Sequence, residues 1–215
     1  MAATARSRPG WLVASAWVLM LAPLAWLGIE GLLGRWGVEP IAYLLDQTGR
    51  HAMWALLLAL AVTPLRRWTG YAPLARIRRL VGLFAFFHAC LHLLTWLWLD
   101  LLWDWQLVLD DLVHRSYITA GAGAWLILLA LAATSTVAAQ RRLGRYWRRL
   151  HRGVYLAGML AILHHLWLTR ADYLEPGIYA VILALLLIAR VPALRPPKAG
   201  SVMGSHDRDP YRKRS

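Results

Sequence analysis

Long apolar runs recur along this chain, and short charged loops separate them. An α-helix needs about 20 mostly apolar residues to cross the hydrocarbon core of a bilayer. The runs predict membrane spans at residues 11–29, 51–65, 80–99, 117–139, 150–169 and 174–191. We therefore expect an all-α, polytopic membrane protein built as a bundle of six transmembrane helices.

The charges in the loops alternate in step with the spans. The second loop, 66–79, carries five arginines and the fourth, 140–152, carries six, both without an acid, whereas the other loops are neutral to acidic. Arginine-rich loops face the cytoplasm, so we expect both termini on that side. A net charge of +13 with 59% hydrophobic residues fits this arrangement. A nucleic-acid binder would instead carry its charge on a surface patch.

Three segments follow from these boundaries. Residues 1–10 form a cytoplasmic N-terminal tail, residues 11–191 the transmembrane domain, and residues 192–215 a basic cytoplasmic tail that we expect to be disordered. The basic start also resembles a signal peptide, but we expect a retained anchor because the first run is long and further spans follow. Cys90 is the single cysteine, which excludes an intramolecular disulfide, a CxxC metal site and covalent heme attachment through CxxCH.

Histidines lie inside the apolar runs, where ionisable residues are costly and usually functional. His92 follows Arg79 by thirteen residues and His164 follows His151 by thirteen, a rise of roughly 20 Å along a helix. The third and fifth spans both begin at the cytoplasmic face, so His92 and His164 should reach the same depth in the outer half of the bilayer. Facing imidazoles at one depth suit axial ligation of a heme iron. Interhelical hydrogen bonding is the alternative interpretation.

The other histidines leave more open. His151, at the cytoplasmic rim beside arginines, is either an interfacial residue or part of a second heme or flavin site. His88 lies one helical turn from His92, and we expect a supporting or packing residue rather than an alternative ligand. His165 competes with His164, and helical geometry does not choose between them. Two histidines at the outer ends of spans are expected to be solvated, namely His51 and His114.

Short sequence words occur between residues 47 and 167 in a specific order and spacing. They are Gln47-Thr48-Gly49-Arg50, Thr63-Pro64-Leu65, Arg78-Arg79-Leu80-Val81-Gly82-Leu83, Leu91-His92-Leu93, Tyr117-Ile118-Thr119 with a following glycine, Thr134-Ser135-Thr136, Gln140-Arg141-Arg142-Leu143-Gly144, Trp147, Leu150-His151, Tyr155, His164 and Trp167. With them, residues 43–191 resemble the MsrQ (YedZ) family, the heme-binding membrane subunits of bacterial periplasmic methionine sulfoxide reductase systems. That family lies within the ferric-reductase-like transmembrane group.

The resemblance implies b-type heme in a six-helix bundle of the bacterial inner membrane, with functional histidines matching His92, His151 and His164. It thereby favours His164 over His165. In the wider group, two histidines on the third span and two on the fifth hold two stacked hemes. Here the position fourteen before His92 is Arg78, which we keep as a cofactor-binding candidate, and His151 has no evident partner. One heme b is expected; a second heme and FMN remain open.

The resemblance also implies electron flow from membrane quinol to a periplasmic molybdopterin subunit that repairs oxidised methionine in envelope proteins. We expect an electron-transfer subunit of an oxidoreductase complex that does not itself reduce methionine sulfoxide. Two axial imidazoles would saturate the iron, and their other ring nitrogens should donate to a backbone or hydroxyl oxygen. Acidic residues of the third loop are candidates for docking the partner, namely Asp100, Asp104, Asp110 and Asp111.

Two other functions compete with this hypothesis. A small transporter or proton relay would use the same histidines but expects intramembrane carboxylates and matched broken helices. The interiors of the second to sixth spans contain no Asp or Glu. A purely structural assembly subunit would tolerate replacement of the histidines. Heme absorbance distinguishes all three functions.

Overall fold

The computed structural model of this chain describes residues 10–169 and 173–190, and regular secondary structure in these residues is helical throughout. The helices are α1 (Gly10–Leu32), α2 (Pro40–Thr69), α3 (Leu74–Leu94), α4 (Trp105–His114), α5 (Ser116–Ala133), α6 (Val137–Leu143), α7 (Arg145–Leu150), α8 (Gly153–Leu168) and α9 (Leu174–Ile188). A π-helical segment, Thr95–Asp100, continues α3. The predicted N-terminal tail up to residue 9, the C-terminal tail for which disorder was predicted, and the end of the predicted sixth span lie outside the described residues.

Each predicted span corresponds mainly to one helix of the structure: α1, α2, α3 with its π-helical extension, α5, α8 or α9. The fourth and fifth predicted spans also reach into α6 and α7, respectively. Among the described residues, three stretches are long and apolar enough to cross a membrane, Gly10–Leu32, Leu74–Asp100 and Ser116–Ala133. Helix α9 is apolar but has 15 residues. The all-helical membrane character is thus confirmed, and six spans with cytoplasmic termini stay a prediction.

The predicted fourth span is too long, because α5 ends at Ala133 rather than at residue 139. The hydroxyls of Thr134 and Ser135 donate to the carbonyls of Ala130 and Leu131, each at 2.7 Å. The Thr136 side chain accepts from the Ala139 N–H and caps α6. A new helix therefore starts at Thr136 inside the predicted span.

The fifth span begins later than predicted. Helix α8 starts at Gly153, and the basic stretch before it folds into α6 and α7. Gly144 separates these two short helices with a φ of +49°, which glycine adopts without the strain that a side chain adds. His151 follows α7 in the turn that leads into α8, so it is not inside the long helix that carries His164.

Helix pairing positions the interior histidines. Helices α2 and α3 form an antiparallel hairpin around Gly70, α5 packs along α8, and α1 lies against α3. Their shared core includes Ala55 of α2, Ala85 of α3 and Ala157 of α8, all almost completely buried. Small side chains allow helix backbones to approach closely. The packing therefore holds α3 and α8 on either side of one interior space.

Candidate functional site

His92 of α3 and His164 of α8 lie side by side in the bundle. Their ring centroids are 6.1 Å apart, and the ring planes are inclined by 78°. The two residues are far apart in sequence, so the packing of α3 near α8 creates the pair. The structure thus brings together the two histidines that were expected at matched depth.

Helix α2 fixes the orientation of the His92 ring. The Nδ1 atom of His92 donates to the carbonyl oxygen of Leu45 at 3.1 Å, and the Thr48 hydroxyl oxygen lies 3.3 Å from the same nitrogen. A carbonyl oxygen can only accept, so Nδ1 carries the proton and Nε2 keeps its lone pair. The hydrogen bond expected from the ring nitrogen that would not bind iron is thus present at Nδ1 of His92.

Helix α5 fixes the second ring in the same manner. The Nδ1 atom of His164 donates to the carbonyl oxygen of Tyr117 at 2.6 Å. This carbonyl lies in the first turn of α5, which packs along α8. His164 is therefore the same tautomer as His92, with its Nε2 lone pair free to bind a metal.

Two glycines make room for these rings. A Cβ atom on Gly121 of α5 would lie 2.8 Å from Nδ1 of His164. A Cβ atom on Gly49 of α2 would lie 3.2 Å from Cε1 of His92. Both are closer than ordinary van der Waals contact. Each imidazole thus lies against bare backbone, which explains physically why glycine occupies positions 49 and 121.

The spacing of the pair is compatible with one metal ion held between the two rings. A metal–imidazole bond is about 2 Å long and the ring centre lies roughly 1 Å beyond the nitrogen, so two imidazoles that held one metal between them would have centroids about 6 Å apart. The observed separation is 6.1 Å. Porphyrin supplies the remaining four nitrogens, so two imidazoles suffice. Within the described residues, no cluster of three or more His, Cys, Asp or Glu side chains could hold a metal ion.

His165 points to a different part of the bundle. Its ring lies 5.7 Å from the ring of Tyr179 on α9, and its Nε2 atom is buried without a partner. Tyr179 donates to Glu175 at 2.6 Å, and Glu175 forms an ion pair with Arg50 of α2 at 2.8 Å. His164 rather than His165 therefore faces His92 in this fold.

His88 faces α1 rather than the interior pair. Its side chain is buried, and its Nε2 atom donates to the carbonyl oxygen of Met20 at 3.0 Å. Pro23 disturbs the backbone hydrogen bonds of the preceding turn of α1, near this carbonyl. This geometry favours the packing role over the alternative-ligand role that the sequence left for His88.

Sequence reasoning missed the neighbour of His88. His51 was expected to be solvated at the outer interface, and this is wrong because its ring lies half-buried 5.8 Å from the ring of His88. His51 lies nineteen residues before Gly70 and His88 eighteen residues after it, so their nearly equal distance from the turn of the α2–α3 hairpin was the signal that could have found this contact. His114, in contrast, is exposed and pairs with Asp110 at 2.9 Å.

Among the described residues, no imidazole lies opposite His151. Its ring stacks on Trp147 at 3.9 Å, its Nδ1 atom donates to the Trp147 carbonyl oxygen at 3.1 Å, and its Nε2 atom is buried without a partner. Arg78 instead lines a cavity of about 520 Å³. The other residues that line this cavity are Thr63, Arg67, Arg152, Tyr155, Leu187 and Arg190.

Comparisons with known proteins identify relatives of this chain. The family model described as "Ferric reductase like transmembrane component" matches residues 48–162, which include His92 and His151. A Xanthomonas campestris pv. campestris protein named "Protein-methionine-sulfoxide reductase heme-binding subunit MsrQ" is 48% identical over 80% of this chain and 82% of its own length.

A protein of the same name from Rhodospirillum rubrum is 45% identical over 86% of this chain and 90% of its own length. Another protein of this name, from Xanthomonas euvesicatoria pv. vesicatoria, is 46% identical over 80% of this chain and 81% of its own length. No solved structure matches the chain.

Proposed function

The chain belongs to the family of MsrQ heme-binding subunits of protein-methionine-sulfoxide reductases, and from this membership we propose that it is a membrane electron-transfer subunit with b-type heme between His92 and His164. One observation carries the choice of residues. The ring centroids of the two imidazoles lie 6.1 Å apart, and the Nδ1 atom of each donates a hydrogen bond to a backbone carbonyl oxygen.

The protein residues prepare this site in three ways. The carbonyl oxygens of Leu45 and Tyr117 fix the tautomers and make the imidazoles better donors through Nε2. Gly49 and Gly121 leave the rings the space that a side chain would fill. Heme held by His92 and His164 would supply an iron that exchanges single electrons, and with both imidazoles bound to it no position would remain for a substrate. Such a heme would pass electrons and would not itself reduce methionine sulfoxide.

The route beyond the heme is part of the proposal. Electrons enter from membrane quinol and leave at the outer face toward a periplasmic molybdopterin-containing reductase, in a bacterial inner membrane with both termini cytoplasmic. Of the four acids proposed for docking, Asp100, Asp104 and Asp110 are exposed, whereas Asp111 is buried and pairs with Arg115 at 3.0 Å. Asp110 pairs with His114.

We also propose a second cofactor site, near the cytoplasmic face. A second heme would use His151, whose buried Nε2 atom lacks a partner, and Arg78 would face its carboxylates. FMN is the other cofactor that the family resemblance implies. The heme at His92 and His164 does not depend on either.

Reduced-minus-oxidised absorbance spectra of the purified full chain test the proposal. We expect b-type bands in the native protein and their loss or strong reduction in His92→Ala and in His164→Ala. His165→Ala is the matched control, because it removes the adjacent imidazole that faces α9, and it should keep the bands. His151→Ala should remove at most a second, separate band.

Other outcomes would overturn the proposal. Equal loss of the bands in His164→Ala and His165→Ala would point to disturbed folding of α8 rather than to ligation. A colourless native protein from heme-replete cells would contradict heme binding and favour the transporter or proton-relay hypothesis. Full retention of the bands in both His92→Ala and His164→Ala would move the heme away from this pair.

A further inference from the structure

Trp147 of α7 contacts His151 through its side chain and through its backbone. The two rings stack, with centroids 3.9 Å apart and planes inclined by 26°. The Nδ1 atom of His151 donates to the Trp147 carbonyl oxygen at 3.1 Å. A stacked imidazole cannot turn about its side-chain bonds without losing the aromatic contact. One residue therefore fixes both the plane of the His151 ring and its tautomer.

The fixed tautomer leaves one nitrogen of His151 available. Because Nδ1 carries the proton, Nε2 has a lone pair that can bind a metal. This Nε2 atom is buried and makes no hydrogen bond to the described residues. Buried polar atoms nearly always have a partner. The orphaned nitrogen therefore fits an axial ligand of the second heme proposed above.

Helix α7 needs an anchor to hold this ring in place. The helix has six residues, Arg145–Leu150, and none of them is buried. Helices of fewer than about 12 residues are marginal without packing. His92 and His164 differ in this respect, since their Nδ1 atoms donate to carbonyl oxygens of the long, packed helices α2 and α5. The carbonyl oxygen that orients His151 belongs to α7 itself.

The indole of Trp147 provides this anchor. Its Nε1 atom donates to the carbonyl oxygen of Thr134 at 2.9 Å. Thr134 directly follows the last residue of α5, where carbonyl oxygens lack partners within the helix. The first turn of the same helix supplies the carbonyl oxygen that orients His164. Helix α5 thus orients His164 directly and contacts the His151 site through Trp147.

We propose that Trp147 is a positioning residue for His151. Its ring sets the plane of the imidazole, and its N–H ties that imidazole to the end of α5. This role rests on the second heme proposed at His151, and it explains how a ligand outside the long helices is held in one orientation. Trp147 is half-buried and is not part of the apolar core around Ala157, so its replacement leaves that core intact.

Electron paramagnetic resonance of the oxidised full chain in detergent tests this role, because the g-values of a ferric heme depend on how its axial imidazoles are oriented. The signal that His151→Ala removes identifies the heme at His151. Trp147→Leu, which removes the stacked ring, should shift that signal and leave the signal of the heme at His92 and His164 in place. Trp147→Phe keeps a stacking ring and loses the N–H, so its signal should stay near the native position.

Heme retention gives a second readout. Heme transfer from the protein to excess apomyoglobin is followed at the absorbance band that His151→Ala removes. Trp147→Leu should release this heme about tenfold faster than the native protein, because it loses both the aromatic contact and the hydrogen bond. Trp147→Phe loses the hydrogen bond alone, and its release should be about threefold faster.

Tyr146→Leu is the matched control for both readouts. Tyr146 is the neighbouring aromatic residue of α7, is exposed, and lies against the guanidinium groups of Arg145 and Arg149. Substitutions at exposed positions without special contacts change free energies by about 0.5 kcal/mol or less, which is about a twofold change in rate. Tyr146→Leu should therefore keep the native signal position and release heme within about twofold of the native rate.

Three results would overturn the inference. A weaker signal at an unchanged position in Trp147→Leu would show that the tryptophan only stabilises α7. Equal effects of Trp147→Leu and Tyr146→Leu would exclude a specific contact, and both of these results leave the second heme in place. A native protein whose spectra are unchanged by His151→Ala would exclude the second heme and this role together. The heme proposed at His92 and His164 stands in all three cases.

Discussion

The Cα atom of Gly121 lies directly against the imidazole of His164, where a Cβ atom would be 2.8 Å from Nδ1. The same nitrogen donates to the carbonyl oxygen of Tyr117, one helical turn earlier on α5. Helix α5 therefore supplies both the acceptor that orients this ring and the bare backbone that lets it approach.

Gly121→Ala should displace the His164 ring. We expect a loss of about 1–3 kcal/mol in stability from overpacking and a lower heme content after purification. Gly123→Ala is the control on the same helix, because its Cβ atom would make ordinary contact with Leu160 at 3.4 Å. Heme absorbance per protein and thermal unfolding measure the two effects. Equal heme content in both variants would contradict the steric argument.

Thr48→Val should change the heme potential while heme is retained. The Thr48 hydroxyl donates to Leu44 at 2.7 Å and accepts from Nδ1 of His92 at 3.3 Å. Loss of this acceptor makes the His92 imidazole a weaker electron-pair donor to the iron, so the midpoint potential of the heme should rise. The rise should correspond to less than about 1.5 kcal/mol for the transfer of one electron. A spectroscopic redox titration measures it. Thr69→Val, which removes a similar hydroxyl contact to Leu65, should leave the potential unchanged.

His88→Phe should weaken the attachment of α1 without loss of heme. The change keeps an aromatic ring in the buried position but removes the hydrogen bond to the Met20 carbonyl oxygen, which costs about 0.5–1.5 kcal/mol. Thermal unfolding in detergent should therefore begin at a lower temperature, with unchanged heme bands. His114→Gln, at an exposed position, should leave both unchanged. Loss of the bands in His88→Phe would make His88 a ligand.

Tyr179→Phe should loosen the contact between α9 and α2. The buried Tyr179 hydroxyl donates to Glu175 at 2.6 Å, and Glu175 in turn pairs with Arg50 at 2.8 Å. We expect a stability loss of about 1 kcal/mol, measured by thermal unfolding. Tyr173→Phe changes an exposed hydroxyl nearby and serves as the control. An equal shift in both variants would show that the Glu175 contact contributes nothing specific.

The helical nature of the chain was predictable, but the helix ends were not. Apolar runs of near-membrane length locate α1, α3 and α5 well, because burial of such runs in lipid requires a helix. The predicted fourth span is interrupted because a turn follows Ala133 and the Thr136 side chain accepts from the Ala139 N–H to cap a new helix, α6. Hydrophobicity does not record such local bonds, so the predicted span ran on to residue 139.

The histidine pair was predictable in part. Distance along a helix gives depth, so matched spacing from the cytoplasmic face already related His92 to His164. The same counting treated His51 as a solvated residue, although the α2–α3 hairpin half-buries it beside His88. Whether His51 is buried depends on the helix that packs against it, and the residues around His51 in the sequence do not show this.

The sequence by itself determined that the chain is helical and has membrane character, because these depend on hydrophobicity. The tertiary structure decided which imidazole faces which. His164 and His165 are adjacent, and only the packing of α8 between α5 and α9 turns the first toward His92 and the second toward Tyr179. It also gathered four arginines from four segments around one cavity, since such a cluster exists only where separate helix ends meet.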